Sequence, residues 1–143
     1  MDDTDKRLIA ALAANARLPV STLAADLGLA RTTVQARIDR LERSGIIAGY
    51  TVRLTDAATA ARIHATALLQ IDPQKQAGII GRLKVIDNVQ QAFTTSGRFD
   101  LVLQLVTDTT AELDMVLDRI GALDGVKSSE SLIRLSRKID RAI

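Results

Sequence analysis

A chain of 143 residues, 47% of them hydrophobic, has room for one ordinary domain or two small ones, and neither part of a two-domain chain buries a large core alone, so association with further copies is expected. The absence of cysteine and the presence of one histidine, His64, exclude disulfides, thiolate sites, cysteine nucleophiles and histidine metal clusters. With Tyr50, Phe93 and Phe99 as the only aromatic residues the core must be aliphatic, and a net charge of +2 is by itself a weak argument for nucleic acid.

No apolar run approaches the roughly 18 residues that cross a bilayer. Met1, Asp2 and Asp3 make an acidic start rather than a basic signal region, so a cytoplasmic location without a membrane partner is expected. Residues 5–14 carry Leu8, Ile9 and Leu12 at helical spacing among alanines, with Asp2, Asp3 and Asp5 where the helix dipole favours negative charge. Residues 15–19 break this helix. A second one runs to about residue 27, and a third from there to about residue 43.

The stretch LAADLGLARTTVQARIDRL, residues 23–41, reads as a helix pair hinged at Gly28. Leu23 and Leu27 share a face, Ala24 is small enough to let a second helix cross closely, and Leu29 can drop between the helices once Gly28 takes a positive φ. Val34, Ile38 and Leu41 then form one apolar stripe, and the other positions include Arg31, Thr32, Thr33, Gln35, Arg37, Arg40 and Arg43. An apolar stripe under a charged face is ordinarily a solvated helix. A glycine-joined pair, an Arg/Thr/Gln face and only Asp39 and Glu42 as acids point instead to a helix-turn-helix that enters a DNA major groove. Arg31, Thr32, Thr33, Gln35 and Arg37 are the expected readers of bases and phosphates, and Arg40 and Arg43 are expected on phosphate.

Ser44 and Gly45 end the third helix, residues 46–54 (IIAGYTVRL) read as a strand or extended connector, and 56–61 as linker. Strand, helix, strand, strand, helix, strand follow over 62–71, 74–84, 89–95, 100–106, 109–120 and 126–135, with a turn at Asp72 and Pro73. Leu113, Val116, Leu117 and Ile120 fall on one face of the second of these helices. This order predicts a ferredoxin-like βαββαβ domain, a four-stranded antiparallel sheet with both helices on one face. LVLQLV, residues 101–106, is apolar at nearly every position, so its second face is expected against another copy of the sheet. The fold class is α+β: a winged-helix-like helix-turn-helix domain over 1–49, a hinge strand and linker over 50–61, and the ferredoxin-like domain over 62–143.

DDTDKRLIAAL, LAADLGLARTTVQARIDRLERSGIIAGYTVRL, VQQAFTTSGRFDLVLQLVTD and LDGVKSSESLIRL follow one another in an order that resembles, over nearly the whole chain, the Lrp/AsnC (leucine-responsive and asparagine regulator) family of transcription factors. The pairing of RLERSGIIAGY with TSGRFDLVL is the most specific part of this resemblance. Two positions depart from the family's habit: Ala30 stands where a serine often caps the recognition helix, so Thr32 or Thr33 would have to cap it or the helix would start later, and Pro19 replaces a capping serine before the second helix.

The resemblance implies a homodimer formed by the C-terminal sheets, often built into tetramers or octamers, with a small effector, commonly an amino acid, held between dimers and no other cofactor. Ser96, Gly97, Arg98, Phe99 and Asp100 match the effector loop, with Asp108, Ser131 and Leu132 at matching positions around it. Such a loop suits a zwitterion: Gly97 lets backbone amides approach a carboxylate, Arg98 adds a charge-assisted bond, and Asp100 pairs an ammonium. It equally suits a plain hairpin turn in which Gly97 supplies the φ and Asp100 caps the loop. The expected function is a sequence-specific, DNA-binding transcriptional regulator, its paired recognition helices about 34 Å apart on double-stranded DNA. The alternatives are an architectural, nucleoid-type DNA binder or a decarboxylase of the sirohaem type on the same fold. One histidine and one tyrosine are thin material for the latter, and no enzyme activity is expected.

Overall fold

The computed structural model describes residues 1–141, which divide into two compact units: residues 1–53 with those from 139 on, and residues 54–138. The first unit contains α1 (Asp3–Ala14), α2 (Val20–Leu27) and α3 (Arg31–Arg43). α1 starts two residues before the predicted position because Asp2 caps it. The Asp5 N–H donates to Asp2 at 2.8 Å and the Asp2 N–H donates back to the Asp5 carboxylate at 3.1 Å.

Gly28 takes φ +67 and the Leu29 N–H donates to the Ala24 carbonyl at 2.9 Å, which closes α2 and turns the chain into α3. Leu8, Leu12, Leu23, Ala24, Val34, Ile38 and Leu41 bury together, with Leu29 packed at their edge. α3 starts at Arg31 with no side-chain cap from Ala30, Thr32 or Thr33, and α2 starts at Val20 with none from Pro19. The expected threonine cap or later start of α3 is therefore corrected. A cap contributes about 1 kcal/mol, while each buried aliphatic side chain contributes about 1.5–3 kcal/mol, and α3 buries three of them.

Residues 46–54 run as a connector with no ladder partner among the described residues, so of the two expected forms the extended connector is the one seen; Tyr50 and Val52 stay 53% and 79% exposed. The expected linker at 56–61 contains one helical turn, α4 (Asp56–Thr59), capped by Thr55.

The second unit then forms β1 (Ile63–Ile71), a short 3-10 turn at Pro73–Lys75, α5 (Gln76–Leu83), β2 (Val89–Thr94), β3 (Leu101–Thr107), α6 (Thr110–Gly121) and β4 (Val126–Ile133). The sheet order is β2-β3-β1-β4 with every pair antiparallel, the ferredoxin-like arrangement. Alternation decides which side chains meet the helices. Ala65, Ala67, Leu69 and Ile71 of β1 and Leu101, Leu103 and Leu105 of β3 are buried with Ile79, Leu83, Leu113, Val116 and Ile120.

Cross-strand pairs share a face, so the other face carries His64, Thr66 and Leu68 opposite Val106, Gln104 and Val102. Phe93 lies beside Val102 and Leu132 beside Thr66 on that same face, 50% and 59% exposed. Its central residues are half-buried, and Arg134, just beyond β4, donates to Gln104 on this face.

Candidate nucleic-acid interface and ligand loop

With Val34, Ile38 and Leu41 turned inward, α3 presents Arg31, Thr32, Thr33, Gln35, Ala36, Arg40 and Arg43 to solvent. Thr32, Thr33, Ala36, Arg37, Arg40 and Arg43 line a shallow concavity of about 490 Å³. Ala36 was not singled out from sequence, although it lies one turn after Thr32.

Arg37 does not extend freely into solvent as the stripe pattern suggests. Its guanidinium donates to both oxygens of Asp2, at 2.8 and 3.0 Å, and to Asp5 at 2.8 Å. Arg40 donates to both oxygens of Asp5, at 2.7 and 2.9 Å. Asp5 is 1% exposed, so these two arginines tie α3 to the start of α1. Arg37, with 24% of its side chain exposed, therefore braces α3 against α1 in the unbound chain, and its expected contact with bases or phosphates would be made from this braced position; Arg40, at 57%, keeps an accessible edge.

The hydrogen bond from Arg37, with that from the Asp5 N–H, holds the Asp2 carboxyl down at about 2. Burial pushes Asp5 upward, but Arg37, the Asp2 N–H and Arg40 together outweigh it and the carboxyl lies below its ordinary value. The same pairings raise Arg37.

Both acids of α3 are also engaged. The Gln35 amide donates to Asp39 at 2.8 Å, which holds one predicted reader along the helix, and Arg43 Nε donates to the Asp39 carbonyl at 3.2 Å. The Tyr50 hydroxyl donates to Glu42 at 2.7 Å, and this bond pushes its pKa up to about 12. Arg31, Thr32, Thr33 and Arg43 are exposed, and none of them is tied to an acidic side chain in the bonds described above.

In the second unit the loop between β2 and β3 turns at Gly97, φ +99, with open space where a side chain would project. Asp100 is committed to the fold: its carboxylate accepts the Ile71 N–H at 2.8 Å, its own N–H donates to the Leu69 carbonyl at 2.8 Å, and its carbonyl accepts from Thr95 at 3.0 Å. The Asp100 carboxylate thus ties the loop to β1 rather than capping the loop itself, whichever of its two expected roles, ammonium partner or turn residue, it also serves. The Gln70 amide donates to the Arg98 carbonyl at 2.8 Å, and the Arg98 guanidinium stacks on Phe99 at 4.9 Å and approaches Glu130 at 3.6 Å. That ion pair is exposed and weakly held.

The other predicted ligand contacts do not converge on this loop within one chain. Asp108 lies beyond the far end of β3, separated from Asp100 by a strand that rises about 3.3 Å per residue, and it faces Arg62 at 3.7 Å. Ser131 is opposite Ala67 and so shares the helix-facing side, whereas Leu132 is opposite Thr66 on the open side. A pocket that used all of these residues would need more than one copy of the chain.

Comparison with known proteins agrees with this two-part reading. Residues 1–42 match the AsnC-type helix-turn-helix domain, and residues 64–143 match the Lrp/AsnC ligand binding domain. The chain is 31% identical to the HTH-type transcriptional regulator LrpA of Mycobacterium tuberculosis, over 93% of this chain and 89% of that protein. It is 29% identical to the HTH-type transcriptional regulator FL11 of Pyrococcus furiosus, over 94% of this chain and 89% of that one.

Among solved structures, Escherichia coli AsnC superposes with a TM-score of 0.88 at 23% identity, covering 100% of this chain and 97% of that one. The regulator NMB0573 of Neisseria meningitidis, solved as a complex with L-Met, superposes at 0.86 with 22% identity, covering 99% and 94%. These relatives are named as regulators rather than enzymes, and among the described residues no helix is long and apolar enough to cross a membrane. The chain belongs to the Lrp/AsnC family of DNA-binding, helix-turn-helix transcriptional regulators.

Proposed function

We propose that this regulator acts in the cytoplasm as a homodimer that lays the two copies of α3 on successive turns of double-stranded DNA, and that an amino acid bound between copies biases its assembly. The observation that carries this reading is the exposed row of Arg31, Thr32, Thr33, Ala36 and Arg43, held on a helix whose inner stripe is fully packed. Arg31 and Arg43 supply phosphate contacts, and Thr32, Thr33 and Gln35 lie where base edges would be reached. Self-association uses the open sheet face, where Leu68, Val102, Val106, Phe93 and Leu132 form an apolar patch that a second copy would cover. Pairing of dimers into tetramers or octamers would bring loops 96–100 from different copies together.

Support for an amino-acid effector comes from the matched ligand binding domain and from the L-Met complex of the Neisseria protein. Gly97 and Arg98 are the loop positions best placed to take part, because Asp100 is occupied. A ligand at one hundred times its dissociation constant stabilises its protein by about 2.7 kcal/mol, a rise of roughly 5–10 °C in melting temperature for a chain of this size. A thermal-shift screen of the twenty amino acids is therefore expected to give at least one such rise, and Arg98→Ala to diminish it. A flat screen contradicts the effector.

A further inference from the structure

The two carboxylates at the start of α1 meet α3 in different ways. Asp5, 1% exposed, receives Arg37 and Arg40 together and belongs to the packed interior. Asp2, with 54% of its side chain exposed, holds Arg37 alone, at 2.8 and 3.0 Å. Arg37 thus sits at the rim of the α3 concavity with one anion behind it and a second anion on the accessible side.

Half-exposed ion pairs in water are weakly held and screened by salt. A duplex carries one phosphate charge per roughly 1.7 Å of its axis and a condensed ion atmosphere that binding releases. We propose that Asp2 is a built-in counter-anion for Arg37, displaced by a DNA phosphate on binding while Asp5 keeps the guanidinium in place. The inference rests on α3 being the DNA-facing helix. Asp2 then acts on DNA through Arg37, as a positioning residue. It keeps the arginine ordered in the unbound chain and makes both affinity and salt dependence smaller than the arginines of α3 alone would give.

The capping role of Asp2 is separable from its charge, since the cap needs one side-chain oxygen to accept the Asp5 N–H, and serine supplies it. The test is a titration of fluorescently labelled duplex carrying the chain's own upstream region, across salt, with the full-length wild type, Asp2→Ser, Arg37→Gln and the double variant. Asp2→Ser is expected to bind about two- to fivefold more tightly at low salt. Its plot of log affinity against log salt should be steeper by up to about 0.9. In the Arg37→Gln background Asp2→Ser is expected to change neither quantity.

Equal or weaker binding with an unchanged slope overturns the proposal. So does a gain that persists without Arg37, which would make Asp2 a general source of repulsion. Should Asp2→Ser melt well below the wild type, Asp2→Asn keeps an oxygen acceptor at the cap and is read by the same criteria. A wild type that ignores the duplex overturns the reading of α3 itself, whereas an unchanged slope in a chain that binds overturns the counter-anion alone.

Discussion

Asp5→Ala is expected to lower the melting temperature of the helical unit by on the order of 10 °C, because it leaves two arginines beside a packed interior without the carboxylate that pairs both. Asp5, 1% exposed, is the buried member of the network, so its loss removes the anchor that both arginines share and the cap it returns to the Asp2 N–H, while Arg37 keeps Asp2 and Arg40 keeps water. The pH dependence follows in sign. Asp2 is held at about 2 and Asp5 is also lowered when folded. Unfolded carboxylates of this type titrate near 4, with roughly 3.9 as the reference. The stability they contribute is therefore complete above about pH 4 and is lost as pH falls through the folded values toward about 2. Thermal melts monitored by circular dichroism should show a wide gap between wild type and Asp5→Ala at neutral pH, closing through the acid range. A variant that melts like the wild type at pH 7, or a gap that stays constant into acid, contradicts the brace.

Val102→Glu addresses the other unit. Val102 is opposite Leu68 on β1 and next to Phe93 on β2, at the apolar part of the open sheet face. A carboxylate there costs the single chain little, since the face is accessible to water, but two copies pressed together would have to bury a charge on each side without a partner. The variant is expected to sediment as a monomer with an unchanged far-ultraviolet spectrum. Its affinity for a two-half-site duplex should fall on the order of 100-fold or more, because linked binding of two modules is lost. Retained dimerisation by sedimentation would place the interface elsewhere.

Local chemistry made much of this molecule legible in advance. The Val34, Ile38 and Leu41 stripe, the glycine turn at Gly28 and the period-two burial of β1 and β3 each depend on residues a few positions apart, and these appear as read. The strand order then follows from the βαββαβ succession. What escaped the sequence depends on long-range meetings or on single-strand geometry. Nothing local to α3 reveals that Arg37 and Arg40 meet acids 35 residues earlier in the chain. Nor does the run 46–54 reveal that its β-branched residues find no ladder partner among the described residues.

The scatter of the expected ligand residues was partly legible. Consecutive residues on a strand point to opposite faces, so Ser131 and Leu132 could never share a pocket in one sheet, and Asp108 had to lie a strand's length from Gly97. The commitment of Asp100 to the Ile71 N–H, in contrast, required the pairing of β1 beside the loop. Ala36 carries no donor or acceptor on its side chain, so its residue type alone does not mark its place in the concavity beside Thr32 and Arg40.

The most direct test of α3 as the DNA-binding element is the salt dependence of duplex binding by the wild type and by Arg43→Ala, an exposed position whose only hydrogen bond among the described residues is to its own helix. Log affinity is predicted to fall linearly with log salt, and Arg43→Ala to bind more weakly with a slope shallower by about 0.9, its melting temperature unchanged. Binding indifferent to salt, or a slope that Arg43→Ala leaves as it was, would contradict the account.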